Sequence, residues 1–328
     1  MPRTLTAEHT RFPLERPFRI ARGTTTVANV VTVEITADGV SGRGEGVPYT
    51  RYGETVESAL AAIEMARSAI EAGADRAAVS SLMPAGAARN AVDCALWDLE
   101  ARTSKRSVAE LIGAPAPGPM PSAITIGIDT PDAMAEHAAR VRHVPLLKIK
   151  LDAEDPAARI RAIRGAAPEA RLIVDPNESW DQAIVESMQR TLVEARVALL
   201  EQPVPASADA WLEGFEPDVP ICADESLHTA DDLPVVARRY QYVNVKLDKS
   251  GGLTAALELA AAARERGLGL MTGCMICSSL SIAPALHIGR MSGFVDLDGP
   301  LWLLEDRTGG VSDDNGMLMP PESGFWGG

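Results

Sequence analysis

Ionisable residues recur once per repeat through the middle of the chain. Lys150, Asp175, Glu201, Asp224 and Lys246 end short apolar runs at intervals of 25, 26, 23 and 22 residues, and Asp296 and Asp298 end a later one. Charges seldom follow hydrophobic segments inward unless they are paired or bind something, because an unpaired buried charge is costly. A single Asp in such a place is a helix cap or salt bridge more often than a ligand, but a series at successive segment ends points to a site. Asp175, Glu201 and Asp224 can converge on one hard cation, and carboxylate oxygens suit magnesium or manganese rather than zinc. No HExxH motif competes, and the histidines His9, His137, His143, His228 and His287 are scattered. Only His228 falls just past a strand end, where it reads as a loop residue. Cys274-Met-Ile-Cys277 lacks the second Cys or His pair of a zinc site and reads as small core residues.

Lys150 and Lys246 lie on opposite sides of the three carboxylate segments. A substrate held on the cation would meet one amine on each face. A lysine that acts as a base near neutral pH needs a depressed pKa. Lys148, two residues before Lys150 and so on the same side of a strand, supplies a like charge for that purpose. The chemistry implied is removal of the α-proton of a carboxylate substrate on one face and its return on the other, through an enolate stabilised by the cation.

The elements that must hold these groups are legible from pattern. Apolar, β-branched runs at 122–127, 146–151, 171–175, 197–201, 219–224, 242–247, 268–272 and 294–298 alternate with amphipathic helical stretches such as 131–141, 156–165, 180–194 and 253–266. Eight strands with helical crossovers predict an α/β fold, a closed (β/α)₈ TIM-type barrel, whose active sites sit at the C-terminal strand ends. A doubly wound open sheet would bring a Gly-rich phosphate loop, and neither GxGxxG nor GxxxxGK[ST] occurs. The segment before the barrel reads as α+β, with strands near Arg19 and at 30–35 and helices at 55–72 and 86–103. Prolines 115, 117, 119 and 121 mark a linker. The expected division is an α+β capping domain over 1–118, a catalytic barrel over 119–300, and a Gly- and Pro-rich tail over 301–328 that returns to the cap.

The 328 residues carry a net charge of −14, which repels phosphate backbones and anionic lipid and so argues against nucleic-acid or membrane partners. The N-terminal stretch has no apolar core of signal-peptide length, no run is long enough to span a bilayer, and four cysteines suit reduced thiols. A cytoplasmic enzyme is expected.

A set of motifs carries a resemblance that covers nearly the whole chain: Ile20-Ala-Arg-Gly23, Pro48-Tyr-Thr-Arg-Tyr-Gly-Glu54, Pro84-Ala-Gly-Ala-Ala-Arg-Asn90, Lys148-Ile-Lys150, Asp175-Pro-Asn-Glu-Ser-Trp180, Leu200-Glu-Gln-Pro203, Cys222-Ala-Asp-Glu225, Asn244-Val-Lys-Leu-Asp-Lys249 and Asp296-Leu-Asp-Gly-Pro300. Together they are similar to the dipeptide epimerases of the enolase superfamily, the L-Ala-D/L-Glu type in particular. The resemblance implies Lys150 and Lys246 as the acid/base pair with Lys148 beside them, and Asp175, Glu201 and Asp224 as ligands of one magnesium ion per subunit, with manganese able to replace it. A lysine base working with magnesium is established chemistry for that superfamily. The resemblance further implies Asp296 and Asp298 for the ammonium of a dipeptide, and Arg22 for the side-chain carboxylate of a C-terminal glutamate. Arg51 is the alternative to Arg22, and Tyr52 beside it is a further candidate substrate contact. Lys249 and Asp248 read as loop polar residues. Pro176 departs from the family pattern, which carries Ala there, and stiffens the turn after Asp175. Because the superfamily shares its lysines and metal, N-succinylamino acid racemisation and muconate cycloisomerisation remain alternatives, as does a barrel that binds a ligand without catalysis. Similar enzymes associate, so a homo-oligomer is compatible, and the implied role is recycling of cell-wall peptides.

Overall fold

The structure is a computed structural model and describes residues 3–21 and 23–328. Eight short parallel strands, Ile124–Ile126, Leu146–Lys150, Arg171–Asp175, Val197–Glu201, Ile221–Ala223, Tyr242–Val245, Gly269–Gly273 and Phe294–Asp296, pair in sequence order. The eighth returns to the first, where Ala123 N donates to Val295 O at 2.8 Å. The sheet is closed, as the alternation of strand and helix predicts.

Helices Pro131–Arg140, Pro156–Ala166, Gln182–Glu194, Leu253–Glu265 and Ser279–Gly289 cover the outside. Four of them start on a side-chain cap: Thr130 accepts from Ala133 N, Asp155 from Ala158 N, Asp181 from Ile184 N and Ser278 from Leu280 N. Each such cap contributes about 1 kcal/mol and fixes where the chain leaves the barrel mouth. Trp180, read from sequence as part of the third helix, precedes it and donates its indole N–H to Asp152 O at 3.0 Å. The crossover after the fourth strand holds only 3₁₀ turns, and the next a 3₁₀ turn, Ala230–Asp232, and the short helix Leu233–Val236.

One apolar ring closes the barrel interior: Ala123, Leu146, Ile173, Leu199, Cys222, Met271 and Phe294, with Tyr242 packed against them. Seven strands contribute one residue each, and the first is represented by Ala123, which immediately precedes it. Strand side chains alternate, so stepping two residues toward the C-terminal end gives the next inward layer: Thr125, Lys148, Asp175, Glu201, Asp224, Asn244, Gly273 and Asp296. An apolar floor and a polar layer above it follow from period two alone.

The cap is a three-stranded antiparallel sheet, Arg3–Ile20, Gly23–Ala37 and Val40–Gly46, backed by helices Val56–Glu71 and Ala87–Ser104. It has its own core, including Leu5, Val33, Ile35, Ile63 and Leu96. The third strand was not legible from sequence because its glycines argue against a strand. They are required by close approach: a Cβ at Gly42, Gly44 or Gly46 would collide with the backbone of the Ala87–Ser104 helix at Leu99, Ala91 or Ala87. The tail forms a hairpin, Ser312–Asp314 and Met317–Met319, that pairs with Met120–Pro121. It then meets the cap, where Trp326 Nε1 donates to Arg43 O at 3.0 Å and Val108 N donates to Gly327 O at 3.0 Å.

Candidate active site

A cavity of about 590 Å³ opens between the barrel mouth and the cap, lined by Lys148, Lys150, Asp224, Lys246, Asp296 and Tyr52 among others. The register that pairs Lys150 with Asp175 puts Lys150 Nζ 2.5 Å from Asp175 Oδ2. On the far side Lys246 Nζ lies 2.7 Å from Asp224 Oδ2. Lys148 Nζ sits at the centre, 2.7 Å from Glu201 Oε2, 2.7 Å from Asp296 Oδ2 and 3.1 Å from Asp175 Oδ2. All of these side chains are buried.

Burial alone would depress the Lys148 and Lys246 ammoniums, but the carboxylates outweigh it. Asp296, Glu201 and Asp175 hold Lys148 well above the ordinary lysine range, and Asp224 does the same for Lys246. The depressed base expected from sequence is therefore not what these pairings give Lys246. Lys148 is as much a counter-ion for three acids as a like charge for its neighbour. Among the acids, burial and Asp175 push Glu201 up, whereas Lys246 and Lys249 overcome burial and hold Asp224 well down.

As they stand, Asp175, Glu201 and Asp224 are drawn onto the lysines, and among the described residues no trio of His, Cys, Asp or Glu is gathered closely enough to hold an ion. The donor chemistry nevertheless fits a hard cation. The carboxylates are fully buried at three adjacent strand ends. Glu201 Oε2 lies within ion-pair distance of Lys148 but outside hydrogen-bond geometry, so this buried oxygen accepts no hydrogen bond. Its partner Oε1 is fixed by Asn244 Nδ2 at 2.8 Å.

At the eighth strand Asp296 Oδ1 is buried and accepts no hydrogen bond, while Oδ2 is taken by Lys148. Asp298 Oδ2 accepts from Thr125 N at 2.9 Å, and burial together with Asp296 pushes its pKa up to about 6. Tyr52 lines the same cavity with its ring 4.5 Å from that of His228, edge to face. His228 lies in the loop after the fifth strand, as read from sequence, and from there supports a cavity side chain. Arg51 also lines the cavity, but its guanidinium forms a two-pronged pair with Glu178, Nε to Oε2 at 2.9 Å and Nη2 to Oε1 at 2.8 Å. Arg22 lies outside the described residues.

Lys249 and Asp248 correct the sequence reading. They belong to a short helix, Leu247–Ser250, and both are buried. Lys249 Nζ donates to Asp224 Oδ1 at 2.6 Å, to Asp224 O at 2.5 Å and to Asn244 O at 3.1 Å. Asn244, which sequence reasoning missed, stands two residues before Lys246 and thus on the same side of its strand. The spacing that picked out Lys148 beside Lys150 would have found it. Gln202, also missed, accepts from Asp224 N at 2.8 Å and so fixes the backbone of that residue.

Residues 3–113 match the model of the mandelate racemase / muconate lactonizing enzyme N-terminal domain, and residues 133–324 match the enolase C-terminal domain-like model. The L-Ala-D/L-Glu epimerase of Escherichia coli (strain K12) is 48% identical over 96% of this chain and 99% of its own. An N-acetyl-D-glutamate racemase of a Pseudoalteromonas species is 43% identical over 88% of this chain and 91% of its own. An enolase family member from Agrobacterium tumefaciens with homology to dipeptide epimerases, solved with bound sodium and L-Ala-L-Glu, superposes with a TM-score of 0.97 at 46% identity, covering 99% of this chain and 100% of the other. The chain belongs to the mandelate racemase and muconate lactonizing enzyme family of the enolase superfamily.

Proposed function

We propose that this protein is a dipeptide epimerase that inverts the α-carbon of the C-terminal residue, interconverting L-Ala-L-Glu and L-Ala-D-Glu by proton transfer between two lysines. The observation that carries the reading is the placement of Lys150 and Lys246 at the ends of the second and sixth strands, each against a carboxylate that flanks Glu201. One amine takes the α-proton from one face, and the other returns a proton to the opposite face. Asp224 and Lys249 hold Lys246 in line, and Asp175 holds Lys150.

Asp175, Glu201 and Asp224 are the residues that would hold magnesium. When bound, the cation supplies Lewis-acid stabilisation of the charge that develops on the substrate carboxylate. Asp296 offers its open Oδ1 to the dipeptide ammonium, with Asp298 beside it. Tyr52 lines the cavity together with Lys246, and Arg22 is assigned to the distal carboxylate. Arg51 is the weaker candidate for that role because Glu178 occupies its fork. The working division is a cap over 1–118, a barrel over 119–300 and a tail over 301–328. A cytoplasmic place in cell-wall peptide recycling accords with the family resemblance. None of the described helices is long and apolar enough to cross a membrane.

The N-acetyl-D-glutamate racemase relative makes N-acylamino acid racemisation the second reading. Proton NMR in deuterated buffer with magnesium separates the two. The expected result is loss of the C-terminal α-proton signal of L-Ala-L-Glu with appearance of L-Ala-D-Glu. Exchange confined to N-acetyl-L-glutamate transfers the mechanism to the other substrate, and exchange of neither overturns it.

A further inference from the structure

The motif ending in Arg89-Asn90 lies on the cap helix Ala87–Ser104, takes no part in the chemistry above, and both residues are buried. Within the cap, Arg89 Nη1 donates to Ser80 O and Met83 O, both at 3.3 Å, and Asn90 Nδ2 donates to Glu45 O at 3.1 Å. Their other donated bonds reach the turn that follows Lys246. Lys246 is the N-cap of the Leu247–Ser250 helix, and its carbonyl accepts from Lys249 N at 3.1 Å and Ser250 N at 3.0 Å. The far end of that one-turn helix leaves carbonyls without intrahelical partners. Arg89 meets them: Nη2 donates to Ser250 O at 2.6 Å and Nε to Gly251 O at 3.1 Å. A cation at a helix C-terminus is also favoured electrostatically. Asn90 Nδ2 donates to Asp248 Oδ1 at 2.7 Å, and the same oxygen accepts from Val47 N, on the cap, at 2.9 Å. One turn further along the cap helix, Asp93 accepts from Thr254 N at 3.0 Å and Thr254 Oγ1 at 2.6 Å.

The fit is close enough to dictate the glycines. Gly251 and Gly252 have φ of +83° and +113°, and a Cβ on either would strike the Arg89 guanidinium or the Asp93 side chain. Both amines are paired within the barrel, Lys150 with Asp175 and Lys246 with Asp224. The described contacts tie the turn after Lys246 to the cap, whereas in the turn after Lys150 the bonds stay in the barrel: Leu151 N donates to Asp175 O, and Asp152 O accepts from Trp180 Nε1.

We infer that Arg89 and Asn90 are positioning residues for Lys246, so that the cap domain sets the reactivity of one face of the substrate and leaves the other to the barrel. The inference rests on the two-lysine reading above. It assigns the motif a kinetic role that general stability does not: its loss is felt by one epimer. A displacement of the reacting amine by about 1 Å costs on the order of a hundredfold. Lys249 still ties the turn to Asp224, so the loss is set at about tenfold.

The test measures α-proton exchange of L-Ala-L-Glu and of L-Ala-D-Glu separately, in Arg89→Lys and in Asn90→Ala, with magnesium present. Lys246→Ala first identifies which epimer depends on Lys246 for proton removal. The expected result is a roughly tenfold fall in exchange of that epimer and less than a twofold change in the other. Arg89→Lys keeps the charge and loses the fork. Asn90→Ala leaves Asp248 its bond to Val47 N, so it supplies the readout if Arg89→Lys fails to fold. Equal losses for both epimers in a folded variant, or wild-type rates for both, overturn the inference while the epimerase reading stands. A wild-type enzyme that exchanges neither epimer removes both.

Discussion

Replacing Asp296 with Asn tests the dipeptide reading at its specific point. Asn keeps the shape and removes the charge. Its carbonyl must face Lys148, because the amide N–H₂ cannot face an ammonium 2.7 Å away. The N–H₂ then falls where Oδ1 stands, the buried oxygen that accepts no hydrogen bond in the structure. A substrate ammonium would meet a donor there instead of an acceptor. A charge-assisted hydrogen bond is worth about 1.5–3 kcal/mol, so kcat/KM for L-Ala-L-Glu should fall roughly 10- to 150-fold. Folding should suffer less than the 3–5 kcal/mol typical of a broken buried pair, because Lys148 keeps Glu201 at 2.7 Å and Asp175 at 3.1 Å.

The control is N-propionyl-L-glutamate, which is L-Ala-L-Glu with the amine replaced by hydrogen. The wild type should prefer the dipeptide, and Asp296→Asn should erase most of that preference while changing turnover of the propionyl compound little. Circular dichroism follows epimerisation of both. Equal losses on the two substrates would show that Asp296 acts through Lys148 rather than on the ammonium, and the assignment of the dipeptide N-terminus to this strand would fall.

Gly273→Ala adds a methyl 2.8 and 2.9 Å from the Asn244 amide atoms and 3.0 Å from Lys246 Cε, so slower exchange of the Lys246-dependent epimer is expected, with a stability loss of about 1–3 kcal/mol; unchanged rates and an unchanged denaturation midpoint would refute the crowding. Magnesium at a hundredfold over its dissociation constant should stabilise the wild type by about 2.7 kcal/mol and Asp224→Asn far less, as read by thermal unfolding; an equal rise in both would remove Asp224 from the ligand set. His287 is buried beside Arg290, and burial first and Arg290 second bring its pKa down to about 4. The folded state therefore binds fewer protons than the unfolded one, so the wild type should lose about 1.5 kcal/mol more than His287→Leu between pH 6.5 and pH 5 in urea titrations. Parallel curves would show that the ring is solvated. Asp93, raised to about 6 mainly by burial, acts in the opposite direction, losing its contribution as pH rises, so only the difference between the two proteins isolates the histidine.

The barrel and its charged mouth were legible because one rule generates both. Period two along each strand turns an apolar ring into a polar layer two residues later, so Lys148, Asp175, Glu201, Asp224 and Asp296 could be read before any coordinate. What escaped was whatever depends on a second element crossing over the first. The Gly42, Gly44 and Gly46 strand reads as a loop until a helix backbone is laid on it, since absence of side chains carries no pattern of its own. Lys249 read as a loop residue because a one-turn helix has no period to detect, yet that turn is what aims its amine at Asp224. Base strength escaped for a related reason. Spacing shows that Lys246 and its neighbours are close, but whether the ammonium is favoured or disfavoured is decided by which carboxylate it touches, and Asp224 at 2.7 Å outweighs burial. Proximity in sequence thus fixes the members of the site, while the sign of each interaction belongs to tertiary contacts such as those of Arg89 and Asn90. On the Lys246 face, the residues inferred to set the rate therefore extend beyond the groups that line the cavity.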